Sequence, residues 1–209
     1  FQLENNQLLI GEGVALVVGG NTLHPAGVSP PVLIGPGPAS TVTLATNNTL
    51  RGFNFGSSSL RALTGANFGT LTMNAVSFVN VSQAMLLDTG TLAVDIPSLT
   101  ASAGNVQVEL RAVAGTMTIV DGSLAGATGT AFLVNGGTAT IEVGATISTP
   151  AGGQPVAVSN MSNASLTFSK TITSLGRGIS LTTNTSLSAI FSAAISITTT
   201  SGSGGVVLT

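Results

Sequence analysis

Thr70-Leu71-Thr72-Met73 and then Thr91-Leu92-Ala93-Val94: a hydroxyl residue, an apolar one, any residue and a second apolar one, repeated after 21 positions. The phrase returns as Thr116-Met117-Thr118-Ile119, Thr138-Ala139-Thr140-Ile141 and Ser165-Leu166-Thr167-Phe168. With one residue inserted it also reads Thr49-Leu50-Arg51-Gly52-Phe53 and Ser186-Leu187-Ser188-Ala189-Ile190. Seven copies at intervals of 21 to 27 residues define a solenoid, in which each repeat buries its apolar side only against its neighbours.

A second short apolar strand precedes each phrase. Examples are Val42-Thr43-Leu44, Met85-Leu86-Leu87, Val106-Gln107-Val108 and Ile179-Ser180-Leu181. Between the two strands lie Asn and Gly, as in Thr46-Asn47-Asn48 and Asn135-Gly136-Gly137, which tolerate the positive φ of a sharp corner. A third apolar position follows each phrase, at Phe78, Leu99, Leu124, Ile147, Ile172 and Ile195. The expected fold is therefore all-β: a single-stranded right-handed parallel β-helix with three short strands per coil of about 21–27 residues. Right-handedness follows the general crossover preference. Eight or nine coils spaced ~4.8 Å apart would make a rod on the order of 40 Å long.

The chain divides at about residue 40. Residues 1–40 read as irregular, Pro-rich N-terminal coils or a cap, and residues 41–209 as the regular β-helix. Asn6-Gln7-Leu8-Leu9-Ile10 and Asn21-Thr22-Leu23 echo the phrase, while the prolines of Gly27 to Ser40 argue against a central strand there. Val206-Val207-Leu208 reads as the start of a fresh coil, so the expectation is that the repeat continues or stacks on another copy.

Composition narrows the function classes. Charged residues are 6% of the chain, against roughly 25% in ordinary globular domains. At 43% hydrophobic residues this is not the signature of disorder. No apolar run approaches the ~18 residues of a transmembrane helix. Five cationic side chains scattered along the chain form no basic stripe, so nucleic acid is not an expected partner. Without Cys there are no disulfides or thiolate metal sites, and the lone His24 has no second His to work with.

The stretches Thr41 to Phe53, Gly129 to Ile141 and Arg177 to Thr185 resemble coils of bacterial right-handed parallel β-helix repeat surface proteins. These are the low-charge β-strand-repeat proteins, similar in shape to autotransporter passengers and pectin-lyase-like solenoids. The resemblance covers roughly residues 40–209 and implies secretion, surface attachment or adhesion. It supplies no catalytic motif that maps onto this chain.

Two sets of residues carry candidate chemistry. Asp95, Asp121 and Glu142 each fall four or five residues after the Thr of their phrase, and Lys170 takes the same place in the next coil. Aligned, they would form an acidic ladder able to take Ca²⁺ or to act on a glycan, or simply a row of solvated charges. No other cofactor is expected. Thr72, Thr118, Thr140 and Thr167 each follow a Thr or Ser by two residues, the pattern of a hydroxyl rank on a flat face, as in ice-binding solenoids. Arg61, Asp88, Glu109 and Arg111 read as surface ion pairs of little individual worth.

The sequence thus leads to an extracellular or cell-surface structural or adhesive module without catalytic activity. Its expected partners are copies of itself, stacked end to end or laterally, or a cell-surface or glycan ligand. The alternatives are a pectin-lyase-like carbohydrate-active enzyme or glycan-binding module, and an ice-binding solenoid.

Overall fold

The computed structural model describes residues 1–35, 37, 39–58, 60–199 and 204–209. Pro36 and Pro38 of the Pro-rich stretch lie outside the described residues. Strands and turns account for the secondary structure of the described residues, and the strands of the large sheet pair in parallel, coil on coil. The result is a parallel β-solenoid of about seven turns, consistent with a right-handed β-helix. The regular coils begin at Val42, Arg61, Gln83, Val106, Thr130, Gln154 and Ile179 and are called coils two to eight here. Val206–Leu208 pairs onto coil eight.

Three ladders run along the rod, one for each strand of the coil. On the first face Val42, Leu63, Met85, Val108, Phe132 and Val156 stack in register. On the second, the inward row is Leu50, Met73, Val94, Met117, Ile141, Leu166 and Ala189. On the third, Leu124, Ile147, Ile172 and Ile195 stack. Period-two alternation turns these rows inward and the intervening residues outward. Each buried Leu, Ile or Phe contributes roughly 1.5–3 kcal/mol. Phenylalanines fill the widest parts: Phe55 stacks on Phe78 at 4.8 Å between ring centroids, and Phe168 on Phe191 at 5.1 Å.

The corner between the first and second faces is left-handed in every coil. Its residues are Asn6, Asn47, Asn67, Thr89, Ala112, Gly136, Asn160 and Thr183, all with φ between 46° and 80°. Asn accepts this backbone at low cost, and its amide reaches the next coil. The Asn47 amide donates to Asn6 Oδ1 (3.4 Å), and the Thr183 hydroxyl donates to Asn160 Oδ1 (3.0 Å). Asn48, 1% exposed, turns inward where coils three and four carry Leu71 and Leu92. Its carbonyl accepts from the Ala45 amide at 2.7 Å, and its amide donates to the Glu4 (2.7 Å) and Gln7 (3.3 Å) carbonyls, tying the first coil to the second.

The first coil departs from the sequence reading at one place. Leu8–Ile10 does take its place on the second face, beside Thr49, Leu50 and Arg51. But Asn21–His24, which contains the echo Asn21-Thr22-Leu23, is an antiparallel strand of a separate hairpin with Leu16–Val18. The Gly19-Gly20 turn, positive in φ at both residues, reverses the chain within two residues and so imposes antiparallel pairing. Val32–Gly35 forms a strand paired with the Thr49–Ser58 strand on the third face, in keeping with the expectation that this stretch is not a central strand. It follows directly on Pro30 and Pro31 and pairs with the Thr49–Ser58 strand on one side, the setting in which proline is compatible with a sheet.

Candidate functional site

The second face presents its outward side chains in columns spaced by one coil. The central column runs Thr49, Thr72, Ala93, Thr116, Thr140, Ser165, Ser188. Six hydroxyls in seven places arise because β-branched and small polar residues suit a solvated pleat. The next column holds Arg51 beside Asn74, then Asp95, Thr118, Glu142, Thr167 and Ile190. Arg51 Nε donates to Asn74 Oδ1 at 2.9 Å.

The sequence-derived hydroxyl rank is therefore split between two columns. Thr72 and Thr140 stand in the central column, and Thr118 and Thr167 in the neighbouring one. The physical reason is that Thr-x-Thr has the same period as the strand, so the phrase fits the ladder in two frames. Coils two, five and seven use one frame, beginning the phrase at Thr49, Thr116 and Ser165. Coils three, four, six and eight begin it two residues earlier relative to the ladder.

The same shift divides the acidic set. Asp95 and Glu142 share a column, with Thr118 between them. Asp121 and Lys170 lie three residues past Thr118 and Thr167, beyond the ends of their strands. All four side chains are exposed. Asp121 accepts a hydrogen bond from the Gly122 amide at 2.8 Å, which orders a turn. Among the described residues, no group of three His, Cys, Asp or Glu side chains gathers closely enough to hold a metal ion.

The first face carries a feature that the sequence reading undervalued. Glu109 lies in the outward row between Leu86 and Leu133, yet it is only 4% exposed. Arg111, two residues along the same strand, folds back so that its Nε donates to Glu109 Oε1 at 2.9 Å, with Nη2 on the same oxygen. Arg61 reaches from coil three to Glu109 Oε2 at 3.6 Å. Asp88 stands beside Arg111 in coil four and accepts from the Thr89 hydroxyl at 2.8 Å. Neighbouring Gln107, fully buried, donates from its amide to the carbonyls of Ala103 (3.1 Å) and Ala125. The cluster was not readable from spacing, because one of its two cations comes from two coils away.

Three open depressions lie at the first and last coils. One, about 430 Å³, is bordered by Phe1, Leu33, Ile34 and Thr41, another, about 460 Å³, by Leu181, Leu187, Ala189 and Leu208, and a smaller one, about 190 Å³, by Gln154, Arg177, Ile179 and Val207. Among the described residues Arg177 is the one charged side chain that lines them, and none is lined by a residue of the acidic ladder or hydroxyl rank. Among the described residues no helix is long and apolar enough to cross a membrane.

By its ladder the chain is a parallel β-solenoid of the β-helix class. Beyond that class, no protein-family model, curated protein or solved structure matches it.

Proposed function

We propose that this chain is a rod-like structural or adhesive module of an extracellular or cell-surface protein, acting through its lateral faces and without a catalytic centre of its own. The observation that carries the reading is the central column of the second face: hydroxyl side chains in six of seven successive coils, uncharged throughout. Such a surface offers many weak, equivalent hydrogen-bonding places in place of one deep pocket. Repeated contacts of that kind suit attachment to a glycan-coated surface or side-by-side packing of rods, where affinity comes from multiplicity. Low charge keeps the faces free of long-range repulsion between rods.

The test is location and shape together. Immunogold labelling of the source cells should place the protein outside the membrane, and electron microscopy of the isolated protein should show straight rods or filaments. An intracellular location, or catalytic turnover of a polysaccharide by the purified chain, would sink the proposal. The hydroxyl column also keeps an ice-binding reading open to a direct assay: thermal hysteresis abolished by Thr116→Tyr would replace the adhesive reading.

A further inference from the structure

We infer that the Leu16–His24 hairpin is a cleavage site for an endoprotease, and that the cut chain stays together as one rod with its first coil held non-covalently.

A protease takes its substrate as an extended, accessible strand, so bonds inside a stacked coil are protected by the coils on either side. The hairpin lacks that protection. Its strands, Leu16–Val18 and Asn21–His24, pair only with each other, and the pairing is irregular between Leu16 and Val17. A two-stranded hairpin standing alone is barely stable in water. Neither of its faces is covered: Leu16, Val17, Val18 and Leu23 are 38–65% exposed, although successive residues of a strand point to opposite sides. At the tip, a Cβ on Gly19 or Gly20 would meet nothing within 4 Å.

The excursion is also long enough to enter a cleft. It leaves the rod where the Gly13 amide donates to the Gly52 carbonyl at 2.9 Å, and the Gly27 amide closes its base on the Glu12 carbonyl at 2.6 Å. Among the described residues, no backbone bond joins residues 15–26 to the large sheet. Opened out, that stretch is about 40 Å of extended chain.

The residues around the tip narrow the class of enzyme. Ala15-Leu16-Val17-Val18-Gly19-Gly20 is small and aliphatic, and no Asp, Glu, Lys or Arg occurs between Glu12 and Arg51. A protease whose specificity pocket takes small aliphatic side chains fits, and one that requires a basic residue does not. The reaction is hydrolysis: water adds across one peptide bond and leaves a carboxylate and an amine. Both new charges arise at an exposed tip, so neither is buried.

Each side of the cut is attached to the rod by its own means. Downstream, the chain continues covalently, and Val32–Gly35 keeps its place beside the Thr49–Ser58 strand. Upstream, the fragment ending at the cut is held by pairing alone. Leu8–Ile10 lies beside Thr49, Leu50 and Arg51 on the second face. On the first face the Leu3 amide donates to the Thr43 carbonyl, and the Thr43 amide to the Phe1 carbonyl, both at 2.9 Å. The Leu3 side chain, 2% exposed, belongs to the core. Asn48 adds its amide on the Glu4 and Gln7 carbonyls. Release of the fragment would strip both acceptors from a buried amide and open the core of coil two to water, and both effects oppose it.

The chain as it stands supplies the test. Elastase, which cuts after small aliphatic residues, should cleave the native protein between Val14 and Val28 at least tenfold faster than at any other bond in residues 1–199. Mass spectrometry reads the position. The cut protein should elute with the uncut one on a native sizing column and separate into two pieces only in concentrated guanidinium. A faster cut elsewhere in residues 1–199 would overturn the inference. So would a hairpin that resists enzyme levels at which the unfolded chain is fully degraded. Loss of the N-terminal fragment on the native column would overturn it equally.

Discussion

The first and second faces each turn an apolar row into the same core, and they are written differently. The second face is built from a phrase repeated with few exceptions, and its outward side chains are interchangeable hydroxyls. The first face holds residues that occur once: Glu109, its two arginines and the buried Gln107. Repetition makes a uniform surface, but it leaves neighbouring coils free to pair in more than one frame. Singular residues make contacts that the repeat does not, and here they lie on the first face.

The difference can be attacked at four points. The strongest blow falls on the core that both faces share. Phe132 is fully buried and meets Phe168 edge-on at 5.6 Å, so Phe132→Ala should cost about 3–5 kcal/mol. Urea denaturation followed by circular dichroism would measure it. A cost below about 1 kcal/mol would mean that the coils collapse onto the gap, and that the ladder is less rigid than its register implies.

Next comes the singular cluster. Glu109→Ala should destabilise the chain by about 1–2 kcal/mol, less than the loss of a partner from a fully buried pair, because both guanidiniums reach solvent. The loss should shrink in Arg61→Ala as background if the two side chains act as a pair, which a double-mutant cycle reads directly. Additive losses would dissolve the distinction between the faces.

The corner offers a gain. Ala112→Asn should stabilise the protein by about 0.5–1 kcal/mol by relieving left-handed strain on alanine. A thermal melt unchanged or lowered would show that the corner is not where coil five is strained. The smallest effect belongs to the repeated face: Thr140→Ala, exposed in the central column, should change stability by less than about 0.5 kcal/mol. A larger loss would show that the hydroxyl columns bear on the fold as well as on the surface.

These contrasts also explain how far the sequence could be read. The three ladders were legible, because alternation of apolar and polar residues is a local signal that survives any frame. Leu124, Ile147, Ile172 and Ile195 stack as the third row expected of them. The columns were only half legible. Asp95 and Glu142 align because Thr91 and Thr138 begin their phrases in the same frame, whereas Asp121 and Lys170 follow phrases that begin two residues later. Counting from the phrase therefore carried those two past the strand ends. Glu109 was read as part of a surface ion pair, and one of its two cations, Arg61, lies 48 positions earlier, which no local window contains. The hairpin was missed because Asn21-Thr22-Leu23 copies the phrase while the preceding Gly19-Gly20 dictates reversal.

That hairpin has a practical use. Its strands pair with each other and not with the large sheet, its large apolar side chains are exposed, and a Cβ added at Gly19 or Gly20 would meet nothing within 4 Å. One end of the excursion is pinned to the rod by the Gly13 amide on the Gly52 carbonyl, and the other is tied back to it by the Gly27 amide on the Glu12 carbonyl. A foreign peptide spliced between Gly19 and Gly20 would thus be carried on a short stalk, presented to antibodies while the scaffold beneath it goes on folding unaltered.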